Sequence, residues 1–146
     1  MFSKSCEYAI RAVLFLASFP VGELFGVEQL AEKLQVPRHF LAKILQQLSR
    51  NRLISSSKGR NGGFFLSEAN RKETLIAVIE CIEGPAVFTN CVLGLEKCSN
   101  ANPCPYHHVV APLRDEFHSL LKNETIEDSA RRIKEQNLKL LNYERG

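Results

Sequence analysis

The sequence predicts a mainly α-helical protein with one small β-hairpin, and three patterns lead to this fold class. Apolar residues recur at intervals of three and four through most of the 146-residue chain, which is the period of an α-helix. Only the surroundings of the glycine-rich segment KGRNGG (58–63) have the composition of two short strands joined by a tight turn. Proline, glycine and N-capping residues separate the helical segments, so each element can be bounded in order.

The first two helices are predicted over 3–18 and 27–34. The first begins at an N-capping Ser3 or Ser5 and ends before Pro20. Apolar residues cover most of its circumference, which predicts that it is largely buried. The second helix is short and amphipathic, and the segment QVP turns the chain after it.

The third helix is predicted over 38–51 and the hairpin over 53–57 and 63–67. Pro37 begins the third helix, where its missing N–H costs nothing. The glycines of the hairpin turn permit the positive φ values that a tight β-turn requires. The residues of the third helix predicted to face inward are Phe40, Leu41, Ile44, Leu45 and Leu48.

The second half of the chain is predicted to hold three further helices. The first spans 73–84 and ends at Gly84, a suitable C-cap; a long helix then spans 104–123, and Thr125 with Asp128 caps the last one. The domain boundaries predicted from these elements are 1–84 for a first domain with the hairpin, 85–104 for a cysteine-rich loop, and 105–146 for the long helix with a C-terminal helix.

The basic residues are concentrated in one part of the chain. The formal net charge is only +3, but the stretch 33–67 has seven of the 19 basic residues and none of the 16 acidic ones. The rest of the chain therefore carries −4. A local basic field on a mildly acidic body is typical of a polyanion-binding face, although a solvated surface with chance clustering would give the same count.

This basic field coincides with two helices joined by a tight turn and followed by a hairpin, the order of a winged helix-turn-helix. In such folds the second helix enters the DNA major groove and the hairpin, or wing, contacts the backbone or minor groove. Helix-turn-helix units also serve as plain packing motifs, but the acid-free stretch favours double-stranded DNA as the partner. The predicted DNA-contacting residues are Arg38, His39, Phe40, Lys43, Arg50, Arg52, Lys58 and Arg60.

Three cysteines and two histidines lie within eighteen residues, in the loop CVLGLEKCSNANPCPYHH (91–108). No apolar run reaches the roughly 18 residues of a membrane span, so we expect a cytoplasmic protein with reduced thiols and no membrane partner. Thiolates in a loop suit zinc, an iron–sulfur cluster or a metal-free redox switch. Gaps of six and five residues between Cys91, Cys98 and Cys104 are long for a zinc knuckle. Cys6 and Cys81 lie in apolar helices and are predicted to be core residues.

Several segments, in order along most of the chain, resemble the Rrf-two family of bacterial regulators, the IscR and NsrR kind. They are YAIRAVLFLA, VEQLAEKLQVPRHFLAKILQQLSRNRLI, SSSKGRNGGFFLS and the cysteine loop. The resemblance implies a homodimeric transcription regulator. It also implies a two-iron or four-iron cluster bound by Cys91, Cys98 and Cys104. The sequence has no nucleophile–base pair, phosphate loop or paired-carboxylate motif, so we do not expect an enzyme.

The resemblance leaves the fourth cluster ligand open. IscR-like members use a histidine three positions after the last cysteine, which is His107 here. NsrR-like members use a carboxylate from the partner's N-terminal helix, which corresponds to Glu7, and the adjacent His108 is a further alternative. The first cysteine gap has six residues, whereas family loops commonly have five.

The same resemblance implies that the long helix after the loop pairs with a second copy, so the operator should have dyad symmetry. An apolar stripe on that helix supports pairing. A zinc- or thiol-controlled regulator and an iron–sulfur carrier protein are the competing interpretations. The predicted interface residues are Val110, Leu113, Phe117, Leu120 and Leu121.

Overall fold

The computed structural model describes residues 1–96, 98–138 and 140, in which seven α-helices and one two-stranded hairpin are formed. The predicted fold class is confirmed. Residues 139 and 141–146 of the predicted C-terminal region lie outside the described part. The elements are α1 (Lys4–Ala17), α2 (Val27–Leu34), α3 (Arg38–Arg50), β1 (Ser55–Ser57), β2 (Gly63–Phe65), α4 (Glu68–Arg71), α5 (Leu75–Glu83), α6 (His107–Lys122) and α7 (Ile126–Glu135).

Two short elements were not predicted from the sequence: α4, which follows the wing, and a 3₁₀ turn (Pro85–Phe88) after α5. None of the described helices is long and apolar enough to cross a membrane.

The core is built around α1, which packs against α2, α3, α5 and α7. The Ser3 hydroxyl caps the helix by accepting a hydrogen bond from the Cys6 amide at 3.1 Å. Ala9, Ala12 and Val13 are fully buried, and their small size lets neighbouring helices approach closely.

The residues of α3 that face inward are the predicted ones, with the exception of Phe40. Leu41, Leu45 and Leu48 are buried, but Phe40 is 52% exposed, so its predicted inward orientation is wrong. Phe40 lies in the first turn at the edge of the inward face, and its ring lies against that of His39, with the centroids 4.4 Å apart. Its place in the predicted DNA-contacting set is unaffected.

The wing is held by a third extended segment that precedes α2. Phe25 forms an antiparallel bridge to Phe64 with hydrogen bonds of 2.9 and 2.8 Å. A Cβ on Gly62 would lie 2.0 Å from the Ser57 carbonyl oxygen, and one on Gly63 would lie 2.5 Å from that of Phe25. Glycine is therefore required at these two positions by close backbone approach and not by positive φ, whereas Gly59 in the same turn has the predicted positive φ (107°).

The base of the wing is tied to the end of α3 by the buried side chain of Asn70. Its amide nitrogen donates to the Arg52 carbonyl at 2.9 Å, and its amide oxygen accepts from the Ser55 hydroxyl at 2.8 Å. Arg52 has a left-handed backbone (φ 61°), so this hydrogen bond holds a sharp reversal between α3 and the wing.

The long helix α6 begins at His107, three residues later than predicted. Cys104 precedes Pro105, and a residue before proline is disfavoured in the helical region. Cys104 and His107 are therefore joined by a turn, in which the His107 amide donates to the Cys104 carbonyl at 3.0 Å, and are not on one face of a helix.

The last helix is capped as predicted. The Thr125 hydroxyl accepts from the Asp128 amide at 3.1 Å, and the Asp128 carboxylate accepts from the Thr125 amide at 3.0 Å. The hydrogen bonds from Thr125 lower the pKa of Asp128.

We expect Gly62→Ala to destabilise the protein by roughly 1–3 kcal/mol, because the added methyl group can be accommodated only by shifting the wing backbone. The measurement is the urea midpoint of unfolding. Asn61→Ala, which truncates an exposed side chain in the same loop, is the matched control and should unfold like the wild type. Equal stability of the two variants would contradict this account of the wing.

Candidate functional site

The first turn of α3 presents three exposed side chains: Arg38, His39 and Phe40. The Arg38 guanidinium lies 3.4 Å from the carboxylate of Glu28 in α2. The sequence showed no acidic residue between 33 and 67, but the turn between the helices brings one to this position. Both side chains are largely exposed, so the ion pair is weak and DNA phosphates can compete for Arg38.

A polar groove of about 950 Å³ lies between the start of α2, the second half of α3 and the wing. The structure brings three of the predicted DNA-contacting residues together in it: Arg50, Lys58 and Arg60. Lys43 and Arg52 are exposed but do not line it. Its polar and charged lining residues that were missed from the sequence are Glu28, Gln29, Gln46, Ser49, Ser56, Ser57 and Asn61.

The beginning of the cysteine loop is fixed to α6 and to the middle of the loop. At its start, the Arg114 guanidinium of α6 donates to the Asn90 carbonyl at 2.6 Å. The Cys98 amide approaches the Thr89 carbonyl at 3.4 Å, which brings the middle of the loop back to its beginning. The loop is thus folded onto the N-terminal half of α6.

Two of the cysteines, Cys91 and Cys104, form one pair. Both are buried, with 7% and 8% of their surface exposed. The pKa of Cys91 is lowered mainly by a hydrogen bond from the Leu93 amide, with smaller contributions from other loop amides and from the Cys104 thiol. The 3.4 Å contact from the Leu93 amide to Cys91 Sγ stabilises the thiolate, the form that binds metals.

The third cysteine is paired with a histidine. Cys98 Sγ lies 3.2 Å from His107 Nδ1, and His107 Nε2 lies 2.7 Å from Asn100 Oδ1. His107 is buried, whereas His108 is exposed and its ring centroid lies 5.8 Å from that of His107.

Glu7 is not brought to this loop within the chain. It is exposed on α1, pairs with Lys4 at 3.2 Å and lines a separate surface with Tyr8, Arg11 and Gln35.

In the described part of the chain, no three His, Cys, Asp or Glu side chains form a group that could hold a metal ion. Of the four predicted ligands, Cys98 and His107 are in direct contact, and Cys104 is near enough to Cys91 to help lower its pKa through a hydrogen bond. Three thiols and an imidazole nevertheless fit an iron–sulfur cluster in donor chemistry.

The remaining cysteines are core residues, as predicted. Cys6 is fully buried, and burial, with smaller effects of Glu83 and Glu7, raises the pKa of its thiol to about 12. Cys81 is half-buried in α5, and burial raises its pKa too. Both thiols are therefore kept protonated and unreactive.

The structure divides the predicted interface residues of α6 between two faces. Phe117 and Leu121 pack within the chain, where the Phe117 ring lies 6.2 Å from that of Phe2 and 6.1 Å from that of Phe88. Leu113 and Leu120 are 63% and 67% exposed, and Val110 is partly covered. Val109, which is 64% exposed on the same outer face, was missed from the sequence.

Comparison with known proteins decides the family. A family profile described as "Rrf2: Iron-dependent Transcriptional regulator" matches residues 2–132. This chain belongs to the Rrf2 family. The resemblance noted from the motifs is thereby confirmed, and the protein is a transcriptional regulator and not an enzyme.

Individual relatives agree with this assignment. An HTH-type transcriptional regulator of Aquifex aeolicus is 35% identical over 130 residues, which cover 88% of this chain and 90% of the relative. The HTH-type transcriptional regulator NsrR of Oceanobacillus iheyensis is 27% identical over 126 residues, 86% of each chain.

Solved structures share the fold. CymR of B. subtilis, described as the global cysteine regulator, superimposes with a TM-score of 0.72 at 22% identity, covering 90% of this chain and 97% of CymR. IscR of T. potens gives a TM-score of 0.68 at 18% identity, covering 95% of this chain and 92% of IscR.

We expect Arg60→Ala to weaken DNA binding and to lower the slope of log affinity against log salt by about 1, because one phosphate-neutralising charge is lost from the groove. Arg38→Ala should lower the slope less, since Glu28 already offsets that charge. The measurement is fluorescence anisotropy across a salt series, with Lys134→Ala on α7 as the control. An unchanged slope for Arg60→Ala would contradict the assignment of the wing to the DNA interface.

Proposed function

We propose that this Rrf2 protein is a homodimeric regulator whose operator binding is controlled by an iron–sulfur cluster in the loop between α5 and α6. The cluster would respond to redox state, nitric oxide or the supply of iron and clusters. The observation that carries this proposal is the arrangement of the loop's four donors as two pairs.

Two pairs are the arrangement that a two-iron cluster requires. Each of its irons is bridged to the other by sulfides and takes two protein ligands. Cys91 with Cys104 would hold one iron, and Cys98 with His107 the other. The pairing favours the two-iron form over a four-iron cluster, in which four ligands occupy four equivalent corners.

The geometry favours His107 as the fourth ligand over the two alternatives. Its Nδ1 already lies 3.2 Å from Cys98 Sγ and the ring is buried at the loop. His108 is exposed, although it lines the same cavity of about 440 Å³ as Cys98 and His107, and it has no contact with a loop thiol like that of His107. Glu7 could reach the loop only from a second subunit. When bound, the cluster supplies an iron centre that oxygen or nitric oxide can attack, and an imidazole holds iron less firmly than a thiolate.

Contacts within the chain connect the loop to α3, the helix proposed to read DNA. The loop is joined to α5 by the 3₁₀ turn, and the Gln47 side chain of α3 donates to the Cys81 carbonyl of α5 at 2.8 Å. Loss of the cluster would release the loop and relax α5 and α6, on which α3 and the dimer depend. This coupling requires two states with different loop conformations, between which the cluster would shift the equilibrium.

The outer face of α6 supports pairing with a second copy. Val109, Leu113 and Leu120 recur at intervals of four and seven residues, so they lie on one face of the helix, with the exposed Glu116 between Leu113 and Leu120. Two such faces packed together would place the two recognition helices about a dyad, and hence favour an operator with two related half-sites.

A metal-free thiol switch is the second candidate, and one observation favours it. Cys91 and Cys104 are close enough for the thiol of one to affect the pKa of the other, and a two-electron oxidant such as a peroxide could join them as a disulfide, with loss of both thiol protons. Structural zinc is a weaker alternative because the donors are not gathered around one point. An iron–sulfur carrier would have no use for the basic groove.

We expect Leu113→Glu combined with Leu120→Glu to yield a monomer with weakened operator binding, because pairing would bury carboxylates against apolar surface. Sedimentation velocity measures the oligomeric state, and Ser119→Glu on the same helix is the control. Phe117→Glu is a poor test, since Phe117 also packs against Phe2 and Phe88 within the chain. A double variant that stays dimeric would place the interface elsewhere.

We expect each single change of a loop cysteine to alanine to abolish the visible absorption of a cluster reconstituted anaerobically, because a thiolate ligand is lost. His107→Ala should keep a cluster that is lost faster in air, while Glu7→Ala and His108→Ala behave as wild type. Iron, sulfide and zinc are measured on the same samples. Lability in Glu7→Ala alone would mean that the cluster bridges subunits, and zinc without sulfide would overturn the proposal.

A further inference from the structure

The imidazole of His107 has a different partner at each of its two nitrogens. Nδ1 lies 3.2 Å from Cys98 Sγ, while Nε2 lies 2.7 Å from Asn100 Oδ1. Asn100 is only two residues beyond Cys98, so one short segment of the loop supplies the partners of both nitrogens.

We propose that Asn100 is a positioning residue that holds the proton of the His107 ring on Nε2 and thereby presents Nδ1 as the ligating atom. This inference rests on the proposed iron–sulfur function and deepens it, because it names the atom through which the ring would bind iron.

The argument follows from donor and acceptor chemistry. An amide oxygen only accepts hydrogen bonds, so the Nε2 atom facing it must carry the proton. A neutral imidazole carries one ring proton, which leaves the lone pair of Nδ1 free on the side of Cys98. Histidines that bind metals commonly donate their other N–H to an oxygen acceptor, which fixes the tautomer and raises the basicity of the ligating nitrogen.

The loop offers a matched control for Asn100. Asn102 lies two residues further along the same segment, and its side chain is exposed. Replacing either asparagine removes the same amide group from the same loop, but only Asn100 is hydrogen-bonded to His107. A general effect of loop composition would affect both variants, whereas loss of positioning would affect one.

The ligating atom can be identified directly. Protein is prepared with histidine carrying ¹⁵N at Nδ1 alone or at Nε2 alone, and the reduced cluster is examined by electron–nuclear double resonance. The His108→Ala background removes the neighbouring ring. We expect a strong hyperfine coupling from ¹⁵Nδ1 and a weak one from ¹⁵Nε2. The reverse pattern, or no nitrogen coupling at all, would overturn the assignment.

The role of Asn100 is tested by cluster retention. We expect Asn100→Ala to lose its cluster in air roughly 10-fold faster than wild type, the lower end of the effect of removing such a partner. Asn100→Asp keeps an oxygen acceptor and should retain the cluster and the Nδ1 coupling. Asn102→Ala should behave as wild type. If Asn100→Ala and Asn102→Ala lost the cluster at the same rate, Asn100 would have no positioning role.

A measurement without the cluster separates this inference from the proposed function. In the reduced apoprotein, ¹⁵N NMR should show His107 mainly as the Nε2–H tautomer, with Asn100→Ala shifting it towards a mixture and Asn102→Ala leaving it unchanged. If wild type takes up no cluster but shows this pattern, the proposed function falls while the positioning of the ring stands. A predominant Nδ1–H tautomer in wild type would overturn the positioning itself.

Discussion

The burial of α5 is the constraint on which both functional regions depend. This helix packs against α1 on one side, and it also contacts α3, α6 and the 3₁₀ turn that leads into the cysteine loop. Its buried residues Ile76, Val78 and Ile79 each contribute about 1.5–3 kcal/mol relative to an exposed side chain. A nine-residue helix could not form by itself in water, so it exists only because its neighbours cover it. The predicted recognition helix α3 and the cysteine loop are therefore built on one shared support.

The side chains of two arginines cap the C-terminal ends of α1 and α2. Arg11 of α1 donates to the carbonyl of Leu34, the last residue of α2, and so holds the turn before α3. The buried Arg71 of α4 donates to the carbonyls of Ala17, at 2.9 Å, and Phe19 at the end of α1. Each guanidinium satisfies carbonyls that a helix end leaves without partners, and its positive charge opposes the negative end of the helix dipole. The orientation of the helix-turn-helix is thus fixed by charge as well as by apolar packing.

Much of the fold could be predicted from the sequence because local signals agreed with one another. The bounds of α2 and the caps at Ser3, Gly84 and Thr125 follow from residue types that act on their immediate neighbours. The errors come from long-range effects. Phe40 fits the helical period, yet it lies at the edge of its face and is exposed. The pairing of Phe25 with the wing joins segments about forty residues apart, which no local pattern reports.

For the candidate site, too, local signals could be recognised in the sequence and long-range contacts could not. Residue type and spacing were sufficient to select the cysteines, His107 and the basic residues of the wing. They could not show that Glu28 offsets Arg38, or that Asn100 meets His107, because both contacts depend on how turns bring segments together. The α6 stripe shows the same limit: a period of three and four finds apolar positions on a helix, but it cannot say which of two apolar faces the chain itself covers.

The division of α6 into two apolar faces has a consequence for regulation. The inner face, with Phe117 and Leu121, belongs to the same cluster as Phe88, which lies just before the cysteine loop. The outer face, with Leu113 and Leu120, borders the inner one on the same helix, because Phe117 lies four residues after Leu113 and three before Leu120. Because a helix moves as a rigid body over such short lengths, a shift of its inner face must also displace the outer one. We infer that a change in the loop would act on the arrangement of two subunits through α6 and on α3 through α5. The operator-reading geometry would then respond to both displacements together, since two recognition helices must keep the spacing of one DNA helical turn to contact adjacent half-sites.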